Sequence, residues 1–267
     1  MTLGAYFCQH NITVSGFYSR TYEHAAESAD FTKTKAYRDI GQLVKGSDTL
    51  LITTPDNEIK AVWDCITSEQ LAGKVVCHFS GSLSSHVFSG IEAVGATGCS
   101  IHPMFAFSDR FHSYQNFSSA CLTMEGQKGA IDIMQPLFEK WGHKVLIVKA
   151  EDKMKYHAAA ALASNYMIGL FQVSLSLLRE CGFTEEDSRE LLQPLVRNNV
   201  QAMLEKPLTE ALTGPVERND LQTVQGHLEV LHGENAEQVY RSIGKELVAL
   251  AKQKNPDRNY TALEKLL

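Results

Sequence analysis

Apolar runs of strand length, separated by helical stripes, fill the first 150 residues, and after them only helical stripes remain. Met1–His10 (MTLGAYFCQH) reads as a helix, and Ile12–Tyr18 as a strand ending in Ser19-Arg20-Thr21. Short helices are predicted over Glu23–Ala29 and Asp39–Val44. Thr49–Thr53 (TLLIT) is a continuous apolar strand stopped by Thr54-Pro55-Asp56-Asn57. Glu58–Ser68 is a helix with Ile59, Val62, Trp63 and Ile66 on one face. Val75–His78 is a buried strand leading into Phe79-Ser80-Gly81-Ser82, and Gly98–His102 a further one closed by Pro103. Ala120–Glu125 and Lys144–Lys149 are the next strands, with a helix over Gly129–Lys140 between them. Apolar strands alternating with helices predict an α/β domain whose mostly parallel sheet is covered on both faces.

Past Ala150 the pattern predicts helices alone. Glu151–Cys181 reads as one long Ala- and Leu-rich helix ended by Gly182. Thr184, with Asp187 three positions on, is an N-cap for a helix to about Leu204, and Pro207 breaks it. Leu221–Leu231 and Ala236–Gln253 are two more. Two domains are expected, an α/β one over residues 1–150 and an all-helical one over 151–267.

The opening order, a helix and then a strand, is that of the helix and second strand of a dinucleotide-binding β-α-β unit. In that unit a first strand and a G-x-G-x-x-G turn stand before the helix, and the turn holds a pyrophosphate. No such turn occurs in this sequence. A start assigned too far downstream is the expectation, because loss of a central strand would expose its neighbours' edges.

Composition narrows the classes. The formal charge of -6 and the lack of a basic tail argue against phosphate-backbone binding, so no nucleic-acid partner is expected. No apolar run reads as long enough to span a bilayer, and the start has no signal-peptide pattern. Six cysteines without a C-x-x-C pair suit a reduced cytoplasm. The ten histidines lack a metal-binding spacing, so no metal is expected.

The candidate chemistry gathers at strand ends and helix starts. Arg20, flanked by Ser19 and Thr21, stands where a second strand meets the adenine ribose, and a cation with hydroxyls there suits the 2′-phosphate of NADP. A solvated surface turn would look the same. Thr54-Pro55 and Ser80-Gly81-Ser82 end two further strands, on the edge where open α/β sheets bind ligands. Tight turns alone also account for them. His102 closes another strand as a candidate ligand contact or a structural histidine. In Lys153-Met154-Lys155-Tyr156-His157, Lys153 and His157 are four apart and share a helix face, with Ser164 and Asn165 further along. Lys or His can deliver the proton, or stabilise the oxyanion, that reduction of a carbonyl or imine requires. The alternative is a pair of solvated lysines at a helix start. In Thr213–Asp220, followed by Thr223 and His227, Asp220 caps a helix, and Arg218 can clamp a carboxylate.

The segments TLGAYF, SGFYSRT, ITTPDN, CHFSGSLSS, SIHPMFAF, DKMKYHAAAALASN and LTGPVERND resemble, in order and over essentially the whole chain, an uncharacterised two-domain bacterial family. That family joins a Rossmann-like NADP-oxidoreductase domain to a C-terminal domain of unknown function 2520. It is similar in fold to pyrroline-5-carboxylate reductase, ketopantoate reductase and the β-hydroxyacid dehydrogenases, with a helical domain like that of 6-phosphogluconate dehydrogenase. The resemblance implies NADP(H), a small keto, imino or hydroxy acid substrate, and a homodimer through the helical domain. On that reading Ser19, Arg20, Thr21, Thr54, Pro55, Ser80 and Gly81 hold the cofactor. Lys153, His157 and Asn165 are catalytic, and His102, Ser164, Arg218 and His227 meet substrate. Two rivals stand beside it, a non-catalytic nucleotide or metabolite sensor and a dimeric interaction protein without cofactor binding.

Overall fold

In a computed structural model, residues 1–233 and 235–267 are described. The chain divides into two compact units, Met1–Leu162 and Ala163–Leu267.

The first unit begins with helix α1 (Thr2–Gln9), strand β1 (Phe17–Tyr18), α2 (Tyr22–Thr32), β2 (Ala36–Tyr37) and α3 (Ile40–Lys45). There follow β3 (Thr49–Ile52), α4 (Asp56–Ile66), β4 (Val75–His78), β5 (Thr97–Met104), β6 (Cys121–Gly126), α5 (Lys128–Lys140) and β7 (Val145–Ile147). Helix α6 (Lys153–Ala163) closes the unit. The strands form two sheets, a parallel pair β1-β2 and a five-stranded sheet in the order β3-β4-β5-β6-β7. Within the larger sheet only the β5–β6 pairing is antiparallel.

Period-2 alternation sorts the larger sheet's faces. Val75, Cys77, Cys99, Ile101, Leu122 and Met124 pack with Tyr6 and Phe7 of α1 and with Met134 and Phe138 of α5. On the opposite face Leu50, Ile52 and Val76 pack with Ile59, Trp63 and Ile66 of α4. These three α4 residues recur at helical spacing, which is why the stripe was legible. Farther along that second face the pattern turns polar, with His78, Ser100 and Glu125 all buried.

Three departures from expectation stand in this unit. The strand expected over Ile12–Tyr18 is a ladder only at Phe17 and Tyr18, because β2 offers two partners and no more. Strand β2 itself carries no apolar run to announce it. Strand β5 does not stop at Pro103 but runs to Met104. Beyond Ser100, the last residue paired with β4, β5 pairs with β6 alone, so a residue without an N–H is tolerated at position 103.

The second unit holds α7 (Asn165–Glu180), α8 (Glu185–Glu205), α9 (Leu208–Ala211), α10 (Leu221–Val230), α11 (Asn235–Lys254) and α12 (Thr261–Leu266). Thr184 accepts from the Asp187 N–H at 3.1 Å, and Asp220 from the Thr223 N–H at 3.1 Å, so both expected caps form. The single helix expected over Glu151–Cys181 is two helices, broken at Ser164, whose backbone (φ −123°, ψ −78°) leaves the helical region. Helices α9 and α12 are too short for a periodic signal. A further correction concerns membrane spans. By length and composition the helical stretch Ala150–Glu180 is long and apolar enough to cross a bilayer, with 6% of its most apolar window buried. Leu162, Tyr166, Met167, Ile168 and Leu170 of this stretch are exposed, whereas Leu175 is buried.

Candidate functional site

The polar face of the first unit is built from four elements. Strand β4 ends in His78, β5 carries His102 just past its last pairing with β4, β6 presents Glu125, and α6 lays Lys153, Tyr156 and His157 over them. Those three α6 residues fall at i, i+3 and i+4, one stripe of the helix.

Lys153 is 1% exposed. Its Nζ donates to the Ser80 carbonyl at 2.9 Å and to the Ser100 hydroxyl. Burial pulls its pKa down to about 8, against the opposing pull of Glu125, Asp56 and Cys99. The Ser80 hydroxyl donates to Asp56 Oδ2 at 2.6 Å and the Ser82 hydroxyl to the same oxygen at 2.9 Å. Asp56 in the first turn of α4 thereby ties the ends of β3 and β4 together.

His78 accepts from the Ser80 N–H through Nδ1 at 3.2 Å, so Nε2 carries the proton and donates to the Ser84 carbonyl at 3.2 Å. Burial lowers its pKa to about 4. His102 is lowered to about 4 as well, by burial first and then by the charges of Lys153 and His157. Its Nδ1 shares a 2.9 Å hydrogen bond with the Tyr156 hydroxyl, and burial pushes the Tyr156 pKa up. A protonated tyrosine beside a neutral imidazole is the result at neutral pH. The His102 and His157 rings meet edge to face, with centroids 5.8 Å apart.

Gly81 makes this packing possible. A Cβ there would lie 2.5 Å from His157 Nδ1 and 2.8 Å from His102 Nε2, so both imidazoles rest where a side chain would begin. His157 Nδ1 is buried there without a hydrogen-bond partner.

The structure thus brings Ser80, Gly81, His102, Lys153 and His157 together. Ser19, Arg20 and Thr21 follow β1 at the carboxyl edge of the smaller sheet. The Arg20 side chain is 89% exposed, and its Nη1 lies 3.7 Å from Glu58 Oε2. Thr54 and Pro55 are exposed between β3 and α4, where Pro55 is the N-cap. Ser164, Asn165, Arg218 and His227 lie in the second unit. There the Ser164 hydroxyl donates to Asn165 Oδ1 at 3.1 Å, and Arg218 is exposed. His227 Nδ1 shares a 2.9 Å bond with the Tyr240 hydroxyl, in the lining of a mostly apolar cavity of about 360 Å³ that Ser174 and Thr213 also reach.

Asp56, His78, Ser100, Glu125 and Tyr156 belong to the first unit's network and had no role assigned to them from the sequence, while Ser82 joins it beside Ser80 and Gly81 as the strand-end reading expected. A signal for two of them was present. In TGCSIHPM and CLTMEG, strict alternation puts Ser100 with His102, and Thr123 with Glu125, on single strand faces.

A mixed, mostly parallel sheet covered on both faces, with an all-helical unit after it, defines a Rossmann-like class of fold. Residues 120–247 match the family model described as domain of unknown function (DUF2520). The chain is similar to protein TM1727 from Thermotoga maritima at 25% identity and TM-score 0.76, over 95% of this chain and 96% of that one. It is similar in fold to an imine reductase from Myxococcus stipitatus in complex with NADP+ (15% identity, TM-score 0.63, 94% and 89% covered). The same holds for a Plasmodium falciparum pyrroline carboxylate reductase with NADP bound (13% identity, TM-score 0.58, 96% and 92% covered). No curated protein matches the chain in sequence.

Two of these neighbours carry NADP, and the residues of this chain can be set against one end of it. An unburied guanidinium and two hydroxyls at the end of β1 suit a phosphomonoester. No G-x-G-x-x-G turn is present to cradle a pyrophosphate.

Proposed function

We propose that this protein is an NADP(H)-dependent oxidoreductase acting on a small keto, imino or hydroxy acid. The observation that carries the reading is the buried Lys153–Ser80–Ser100 contact, with the His102–Tyr156 pair beside it, at the carboxyl ends of β4 and β5. The likeness in fold to NADP-bound reductases supports it.

Arg20, Ser19 and Thr21 would hold the 2′-phosphate, and Thr54, Pro55, Ser80 and Gly81 would line the strand ends along the cofactor. When bound, the nicotinamide supplies or accepts the hydride. The protein's part is proton management. Lys153 fixes the Ser80–Gly81 turn and gives the site a positive charge. The Tyr156 hydroxyl is a proton source, and His102 Nδ1 lies in position to stabilise the phenolate that donation leaves. His157 packs against His102 and completes the partner for a developing oxyanion.

NADPH titrated into the full chain and followed by its fluorescence, with NADH in parallel, is the direct test. Binding with NADPH preferred, and a preference abolished by Arg20→Ala, is expected. Binding of neither nucleotide overturns the reading. One observation favours a second reading, a sensor that binds without turnover: Lys153 spends donors on Ser80 and Ser100 rather than pointing at open space. The two separate at Tyr156→Phe. In a reductase turnover falls by about 10²-fold or more with nucleotide affinity kept, and in a sensor no substrate oxidises NADPH at all.

We also propose a homodimer through the second unit and a reducing, cytoplasmic location. The apolar residues left uncovered on α7 and α8 support the first, and the six unpaired cysteines the second.

A further inference from the structure

We propose that Glu125 is a positioning residue for Lys153: a buried counter-charge on β6 that acts across Ser100 to keep the α6 amine protonated and anchored on the Ser80 carbonyl. The inference deepens the oxidoreductase reading and rests on it only for what Lys153 does in turnover.

Glu125 is 5% exposed, and its partners are two groups of one residue. The Ser85 N–H donates to Oε2 at 2.6 Å and the Ser85 hydroxyl to Oε1 at 2.7 Å. Both are neutral donors, so neither brings a charge to the carboxylate. Among the described residues no ion pair within 4.0 Å involves Glu125 or Lys153. A buried carboxylate and a buried ammonium are each costly alone, and here the two share one face of the first unit.

The geometry links them. Glu125 is the cross-strand partner of Ser100, so both side chains stand on one sheet face, and Ser100 Oγ receives the Lys153 Nζ–H. Every charged or titratable group facing the amine can be named. They are Asp56 at the start of α4, His78 ending β4, His102 on β5, Glu125 on β6, and Tyr156 and His157 on α6 itself, while the Cys99 thiol acts from the opposite face of the sheet. Both histidines at the strand ends are neutral at pH 7. Asp56 is exposed and already receives two serine hydroxyls, so water screens it. Glu125 is the carboxylate whose field reaches Lys153 without passing through solvent, and it is the largest of the groups that hold the amine's pKa up.

The same pair clamps a loop. Lys153 takes the Ser80 carbonyl at one end of residues 80–85, and Glu125 takes the Ser85 N–H at the other. Gly81, which both imidazoles touch, lies between the two anchors. Glu125 therefore sets the charge on the amine and the path of the loop that the amine holds.

The test is the titration of Lys153 in the full-length protein, by NMR of carbon-13 lysine assigned with Lys153→Met, together with a double-mutant cycle on urea stability. In Glu125→Gln the Lys153 midpoint should fall below its starting value of about 8, with proton affinity down roughly tenfold. Glu125→Asp should restore most of it. In the cycle, Glu125→Gln should cost far less in the Lys153→Met background than alone, because the orphaned charge is gone. An unmoved midpoint in folded Glu125→Gln overturns the proposal, as does additivity of the two substitutions. If either single variant fails to fold, a double variant that folds supports the proposal, and a double variant that also fails overturns it. Neither readout needs turnover. A chain that binds no NADPH yet shows the coupling would sink the oxidoreductase reading and leave this one standing.

Discussion

The two units spend their side chains in opposite ways. The first buries polar and charged groups, with Lys153 at 1% exposure, Glu125 at 5% and the neutral His78 at 0%. The second exposes oil: Ile168 is 70% open, Leu195 59% and Leu204 78%. A buried charge survives only inside a finished network of partners, and the first unit has one. Contiguous exposed apolar side chains are the mark of a surface made for cover. The first unit thus holds its buried charges inside a polar network that leaves His157 Nδ1 open, whereas the second is incomplete as a surface.

The sharpest way to break this contrast is to remove the buried charge. Lys153→Ala leaves Glu125 without its counter-charge and takes a donor from Ser80 and Ser100. A loss of roughly 3–5 kcal/mol is expected. Both tryptophans, Trp63 and Trp141, lie in the first unit, so their fluorescence in urea reports that unit alone. A loss under about 1 kcal/mol would show that the amine is not integral to the network.

Acid is the next lever. His78 has a pKa of about 4 in the fold against 6.5 unfolded. Below the unfolded value the unfolded chain binds a proton that the folded chain refuses, so stability falls as pH drops from about 6.5 to about 4. The share of His78 is roughly 3 kcal/mol, and His102 adds to it in the same direction. Urea midpoints measured across that range should show the slope, and His78→Gln should flatten it. A slope unchanged in His78→Gln would mean that this imidazole is not held neutral.

A smaller effect is expected at Gly81. One methyl added there meets His157 Nδ1 at 2.5 Å and His102 Nε2 at 2.8 Å. Gly81→Ala should cost about 1–3 kcal/mol. It should also separate the two rings, visible as shifts of both imidazole signals by NMR. Signals that stay put would show that the close approach is not what holds the histidines.

Legibility followed the same divide. Helix α4 and strands β3 and β4 could be read because one apolar face repeats at a fixed period in each. Ser80, Gly81, His102, Lys153 and His157 could be read because they sit at strand ends and a helix start, where ligand sites gather. Glu125 and Ser100 were hidden because a polar residue inside a strand reads as a solvent position, and only the fold shows that α6 lies over it. The break at Ser164 was hidden for a different reason. The alanine-rich run before it and the apolar, leucine-bearing run after it both read as helix, and one backbone angle away from the helical region leaves no compositional trace. The apolar faces of α7 and α8 were legible as apolar but not as exposed, since periodicity states which residues share a face and not what covers it.

The smallest expected effect therefore tests the second half of the contrast. Leu204, 78% exposed on α8, touches too little for its loss to matter to a lone chain. Leu204→Gln should change unfolding stability by less than about 0.5 kcal/mol at dilutions where the protein is monomeric. At higher concentration, if a second copy covers this face, the same substitution should weaken self-association, measured by sedentimentation velocity across a concentration series. A dimer that Leu204→Gln leaves untouched, with Leu195→Gln and Ile168→Gln equally silent, would place any interface elsewhere. A stability loss of about 2 kcal/mol in the monomer would show that Leu204 is core within its own chain, and the contrast between the units would fail at the residue that expresses it most strongly.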